Sequence, residues 1–163
     1  MPLHPRSITR RRLFQSAAAG VAAAAAARME QVLAASRLFA GVREMTADIV
    51  IIGGSLGGVA AALAAARRGR RVLLTEETEW IGGQATTQGV PLDEHPWIED
   101  YGRTRSYAEF REGVREYYRR HYPLIAKAKA DRHLNPGAGW VSGLGYEPLV
   151  GLAVLYEMLA PHI

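Results

Sequence analysis

Gly53-Gly54-Ser55-Leu56-Gly57-Gly58 stands directly after an apolar run and directly before an Ala/Leu-rich stretch. Such a segment brings backbone N–H groups close to a negatively charged ligand. No Cβ holds the ligand off, and the helix that follows opens with free amides and a partial positive charge. Glu76 lies 23 positions after Gly53, where an acid can accept hydrogen bonds from ribose hydroxyls. A turn suited to a pyrophosphate and an acid suited to a ribose describe a seat for the ADP half of a dinucleotide. The acid also disfavours a 2′-phosphate, and so argues against NADP in this slot.

Within the turn, Gly53 lets the chain bend sharply out of a strand, and Gly58 lets the helix pack close to the sheet. Ser55 occupies the position of the middle glycine of G-x-G-x-x-G. It is the next smallest polar choice, and its hydroxyl can donate to a phosphate oxygen. The candidate cofactor contacts in this part of the chain are therefore Gly53, Gly54, Ser55, Leu56, Gly57, Gly58 and Glu76.

The elements that must position these residues are readable nearby. Asp48-Ile-Val-Ile-Ile52 reads as a strand buried on both faces of a parallel sheet. Val59 to Arg68 is strongly helix-favouring, and Gly69 is placed to stop that helix. Arg71-Val-Leu-Leu-Thr-Glu76 reads as a second strand that ends in the acid. Strand, glycine turn, helix, strand and acid in this order predict an α/β fold with a Rossmann-like βαβ unit. The alternative is an ordinary βαβ crossover with a glycine turn and no ligand.

The 163 residues suit one ordinary domain, and the composition is that of a globular protein. The absence of cysteine excludes disulfides, thiolate metal sites and a cysteinyl link to a cofactor. The net charge of +4 is unevenly placed: residues 1–46 carry seven arginines against Glu30 and Glu44, a balance of +5, which leaves −1 for the rest. That remainder gives no reason to expect a nucleic-acid partner.

The basic excess sits in a leader. Ser7-Ile-Thr-Arg-Arg-Arg-Leu-Phe-Gln15 precedes the apolar run Ser16 to Ala27. A charged segment before a short apolar one is the layout of an export signal. The run is about a dozen residues, whereas a spanning helix needs roughly 20, so no stable membrane anchor is expected. The segment resembles a twin-arginine signal, with Leu13 and Phe14 exchanged relative to the usual order and Gln15 in place of Lys. The resemblance implies a twin-arginine translocase as partner and an exported protein, periplasmic or extracellular. Cleavage fits after Ala27 or after Ala34. The alternative is a basic, Ala-rich helix that stays on the protein. Residues 1–45 are thus expected to be signal and connector, and 46–163 the N-terminal part of a cofactor-binding domain.

Beyond Glu76, a five-residue spacer leads to Gly82-Gly83-Gln84 and a small, polar stretch to Gly89. This resembles the flavoprotein pattern in which a glycine doublet follows the second strand, and it implies that Gly82, Gly83 and Gln84 approach the cofactor. From Asp48 onward the chain resembles the FAD-dependent oxidoreductases with a GG-[ST]-x-x-G turn, many of them exported bacterial proteins. The stretches that carry the resemblance are Ile52 to Gly58, Trp80-Ile-Gly-Gly-Gln84, Gln88 to Trp97, and Arg105-Ser-Tyr. It implies FAD as cofactor and an unidentified small-molecule or sugar-like substrate. No catalytic residue is assigned. The reading from a different class is a non-catalytic secreted module with a degenerate nucleotide-binding fold. Nothing shows paired carboxylates or a Tyr/His site arranged for polysaccharide lyase chemistry.

Farther along, Ser106-Tyr-Ala-Glu109 reads as a capping box that opens a helix to His121, ended by Pro123. Phe110, Val114, Tyr117 and Tyr118 form its apolar face, and Arg111, Arg115, Arg119 and Arg120 are expected on a solvated one. The other role for the arginines is contact with another part of the protein or with an anionic substrate. Asp93-Glu94-His95 is expected to be structural or solvent-facing, although His95 is a possible proton carrier near a flavin, and no metal site is expected. Asn135 to Gly145 reads as an irregular glycine-rich loop, and Pro148 opens a last, largely apolar helix to about Ala160. With two strands readable, the sheet is expected to be incomplete and the fragment inactive alone. Changing Arg10 and Arg11 together to Lys is expected to block export. Fractionation of cells expressing the variant checks this, and continued export would mean that another pathway reads the leader.

Overall fold

The computed structural model describes residues 44–162 and, from the segment before them, only Arg28 and Glu30, both helical and exposed. The expected twin-arginine leader and connector otherwise fall outside the described residues. The chain divides at Met45/Thr46, and the fold below belongs to the second unit.

That unit opens with the expected βαβ arrangement. Strand β1 (Ile49–Ile52), helix α1 (Leu56–Ala66) and strand β2 (Val72–Thr75) follow in order. The strands pair in parallel, Ile49 opposite Val72 through Ile52 opposite Thr75. Asp48 locks the open end, its carboxylate accepting from the Arg71 amide at 2.8 Å and from its guanidinium at 2.9 Å. Ser55 caps α1. At the far end Gly69, at φ +71°, turns the chain while its amide donates to the Ala66 carbonyl at 2.8 Å.

The expectation that β1 is buried on both faces is not met. Ile49, Val50 and Ile52 are exposed, Ile52 at 80 %. Burial on both faces requires a layer on each side, and among the described residues α1 covers only one face of this two-stranded sheet. The apolar run records what the strand is suited to, not what surrounds it here.

Helix α2 (Arg105–His121) begins two residues earlier than its capping-box signal. Thr104 is the cap, its hydroxyl accepting from the Tyr107 amide at 3.2 Å. Ser106 and Glu109 instead receive the Arg67 guanidinium, at 3.0 and 2.6 Å, and so tie α2 to the end of α1. Two hydroxyl residues two positions apart offer competing caps, and the tertiary contact with Arg67 takes the inner one. A short helix, α3 (Ala126–Ala130), and the final helix, α4 (Pro148–Leu159), complete the unit.

The core lies among α1, α2 and α4. Phe110, Val114 and Tyr118 from α2 meet Val150, Val154 and Leu155 from α4, with Val59 and Leu144 closing the cluster. Gly113 permits the approach, since a Cβ there would lie 2.7 Å from Val154 Cγ1. The Glu147 amide donates to the Tyr118 hydroxyl at 2.9 Å, which fixes the start of α4 on α2. Leu149 and Tyr156 of α4 face outward.

The arginine row is also corrected. Arg111 and Arg115 are 1 % and 3 % exposed, not solvated. Arg111 donates to Glu94 and Glu99, while Arg115 holds Glu99 at 2.5 Å and the Leu134 carbonyl at 3.1 Å. Glu94 also accepts from the Tyr107 and Ser142 hydroxyls. The loops that carry Glu94, Glu99 and Ser142 lie over this side of α2, a burial that helical periodicity alone cannot foresee. Removing one partner of a buried ion pair leaves the other charge uncompensated, a cost of about 3–5 kcal/mol. Glu94→Gln is therefore expected to lower stability by about 3 kcal/mol, read as a lower urea midpoint at unchanged slope.

Candidate functional site

The glycine turn is a ledge where β1, α1 and the doublet segment meet. Gly53 adopts φ +97°, a conformation that favours glycine, and a Cβ built on it meets nothing within 4 Å. Gly58 is glycine for the opposite reason: its Cβ would lie 2.0 Å from the Gly53 carbonyl oxygen. The first turn of α1 is thereby pressed against the end of β1. The Ser55 hydroxyl accepts from the Gly58 amide at 3.3 Å, and the Ser55 carbonyl starts the helix by accepting from Val59 at 2.9 Å. Leu56 and Gly57 have no acceptor within the helix for their amides.

Gly54 had no separate role in the sequence, and the structure supplies one. Its amide donates to Glu76 Oε2 at 2.9 Å, and a Cβ on it would lie 2.6 Å from that oxygen. Thr78 grips the other carboxylate oxygen, its amide and hydroxyl each donating to Oε1 at 2.9 Å. A threonine two residues after the acid was the available signal for this clamp. The Thr78 amide, then the Thr78 hydroxyl, and with them the Gly54 amide hold the Glu76 carboxyl below its ordinary range, against a smaller opposing effect of burial. Glu76 is thus an ionised acceptor fixed beside the turn. A carboxylate accepts about four hydrogen bonds in all, so capacity remains for a ribose hydroxyl.

The doublet comes to the same place. The Gly82 amide donates to the Gly54 carbonyl at 2.6 Å, and Ser55 and Gly82 form an isolated parallel bridge. Gly82 and Gly83 have φ +113° and +54°. A Cβ on Gly83 would stand 3.3 Å from Ser55 Cα, and one on Gly82 would stand 2.7 Å from Leu155. The structure therefore brings Gly53 to Gly58, Glu76, Gly82 and Gly83 together.

The stretch after the doublet, expected as a polar loop along a ligand, is partly interior. Gly83–Ala85 form one 3-10 turn ending beside Thr86, whose buried hydroxyl donates to the Ile81 carbonyl at 2.7 Å. Gln84 stays half-buried and lines a cavity of about 230 Å³ between this stretch and the glycine-rich loop. In that loop Asn135 ties the two ends, accepting from the Gly145 amide at 2.6 Å and donating to the Ser142 carbonyl at 3.0 Å. Tyr146, also lining the cavity, donates to the Ala85 carbonyl at 3.1 Å. His95 is exposed, its ring near those of Trp97 and Tyr101. No cluster of metal-ligating side chains occurs among the described residues.

A parallel βαβ unit whose helix N-terminus, glycine turn and strand-end acid converge is a Rossmann-like nucleotide-binding fold. The chain belongs to the FAD dependent oxidoreductase family, whose model matches residues 48–162. FAD is the cofactor of that family. No curated relative and no solved structure matches the chain. The residues present fit the cofactor's ADP half. A Cβ on Gly53 would project into space open at the ledge, and one on Gly57 would meet only the Ser55 hydroxyl, at 3.8 Å, so backbone amides there can face a pyrophosphate.

Gly58→Leu is expected to abolish FAD binding, since no rotamer removes a Cβ 2.0 Å from a backbone oxygen. Equilibrium dialysis against FAD checks this, and unchanged affinity would contradict the assignment. Because the folded Glu76 carboxyl lies below its ordinary value of 4.5, its contribution is complete above that pH and is lost only as pH falls through the lowered value. FAD affinity is therefore expected to stay level from neutrality down to about 4.5. An earlier decline that Glu76→Gln abolishes would contradict this.

Proposed function

We propose that this chain forms the ADP-binding part of the FAD site in an exported flavin oxidoreductase acting on a small-molecule or sugar-like substrate. The observation that carries the reading is the Gly82–Gly54 hydrogen bond. It joins the doublet to the pyrophosphate turn, whereas a bare βαβ crossover needs no such second segment. FAD, when bound, supplies two-electron acceptance from the substrate. The chain's own residues bind and orient it. The free amides of Leu56 and Gly57 face the pyrophosphate, the Ser55 hydroxyl donates to a phosphate oxygen, and Glu76 accepts from the adenosine ribose. Gly82, Gly83 and Gln84 border the path along which the cofactor extends.

Export through the twin-arginine translocase belongs to the same reading. That route carries folded proteins, so FAD is loaded before the chain leaves the compartment where the cofactor is made. Among the described residues no helix is long and apolar enough to cross a membrane. Turnover by this chain alone is not expected, because Ile49, Val50 and Ile52 of the two-stranded sheet are exposed and want further packing.

The test is to purify the protein from cells and record its absorbance spectrum. A flavin spectrum that bleaches on reduction supports the reading, and a colourless protein that also fails to take up added FAD overturns it. A flavin-loaded protein that no candidate substrate reduces would favour the non-catalytic module.

A further inference from the structure

A second polar site lies beside α2, away from the nucleotide ledge. It is a pocket of about 190 Å³ that shares no lining residue with the glycine turn or the doublet. Arg103, Arg111, Arg115 and Arg132 line it together with His133, against two carboxylates, Glu99 and Glu112. The positive side is in excess, and it is unevenly neutralised. Glu99 takes guanidinium groups of Arg111 and Arg115, and Glu112 is shared with Arg119. Arg103 and Arg132 have no carboxylate within 4.0 Å among the described residues; the guanidinium of Arg103 donates only to the Ile98 carbonyl. Burial works against the charge of Glu99, yet Arg115 and Arg111 still hold its carboxyl below the ordinary range.

One guanidinium atom behind the pocket is also unpaired. Arg111 Nε is buried and has no hydrogen-bond partner. A buried donor left unpaired costs about 1–3 kcal/mol, more when it is charged, and native structures keep such groups rare. Nε itself is closed off from the pocket, so the donors open to it are those of Arg103 and Arg132, neither of which has a carboxylate within 4.0 Å among the described residues.

We propose that this pocket binds a small oxyanion, the carboxylate or phosphate group of a ligand, with Arg132 and Arg103 as its principal contacts. The fork of N–H groups on arginine matches both anions, and the volume admits one such group with a short stem but not a nucleotide. His133, at the rim, adds a third donor. The site is independent of FAD, so it stands or falls apart from the reading above.

The experiment is thermal unfolding of the full chain with inorganic phosphate or succinate, against chloride at matched ionic strength, with and without saturating ADP. Stabilisation by either anion that persists with ADP present is expected, and the better of the two identifies the ligand class. Arg132→Gln is expected to weaken that effect roughly ten-fold or more in anion concentration. Its midpoint in chloride should not change, because Arg132 is exposed and makes no hydrogen bond there. Arg103→Gln should weaken the anion effect likewise, read against its own midpoint in chloride, which loss of the hydrogen bond to the Ile98 carbonyl lowers. No stabilisation beyond chloride overturns the proposal. So does an effect that ADP removes, which belongs to the glycine turn, or one that survives both substitutions.

Discussion

The start of α1 touches the end of β1 with no side chain between them. A single methyl-sized group on Gly58 would sit 2.0 Å from the Gly53 oxygen, so the site depends on a contact that only glycine permits. The consequences run outward. The helix axis and its positive end are aimed past the strand. The Gly54 amide and carbonyl are left at the edge, where Glu76 and Gly82 take one each at 2.9 and 2.6 Å. The acid and the doublet, 22 and 28 positions away, are thus registered against the turn by its own backbone. Ser55 fits because the position it fills is a helix cap, where its hydroxyl accepts the Gly58 amide at 3.3 Å, a bond that glycine has no side chain to make.

The second organising feature is the ion network around Glu94 and Glu99. Buried ion pairs add little net stability, since desolvation offsets most of their attraction. Their geometric effect is larger. Glu94, Glu99, Arg111 and Arg115 join α2 to the loops at 93–99 and 134–142, which have almost no regular structure of their own. Burial, and after it the hydrogen bond to Glu94, pushes the Tyr107 phenol upward, so Tyr107 remains a neutral donor in the network. Two irregular segments are thereby held in one arrangement, and the cavity lined by Gln84, Ser142 and Tyr146 takes its shape from them.

The family supplies FAD and the oxidoreductase class, and the geometry accounts for how one end of the cofactor is recognised. That end is recognised chiefly by backbone: turn amides, three positive-φ glycines and a carbonyl shared between segments. Side-chain chemistry enters through Ser55 and Glu76 alone. A site of this kind distinguishes a dinucleotide by shape and charge, and it leaves the choice of substrate to residues elsewhere.

The βαβ unit was legible because its determinants are local. Apolar runs, a glycine turn and an Ala-rich helix closed by Gly69 each act within a few residues, and Pro148 announced α4 in the same way. The positions of Gly53, Gly58 and Glu76 could be named for the same reason: their spacing along the chain follows from the length of one strand and one helix. Other features depended on what came to lie against each segment. Ser106 looked like a cap until Arg67 claimed it, Arg111 and Arg115 looked solvated until two loops covered them, and β1 looked buried where, among the described residues, only α1 covers it. Gly54 was readable only as one more cofactor contact of the turn until Glu76 arrived beside its amide. Local pattern determines which conformation a segment prefers. Burial and pairing are set by contacts between residues distant in sequence, and those exist only once the chain has folded.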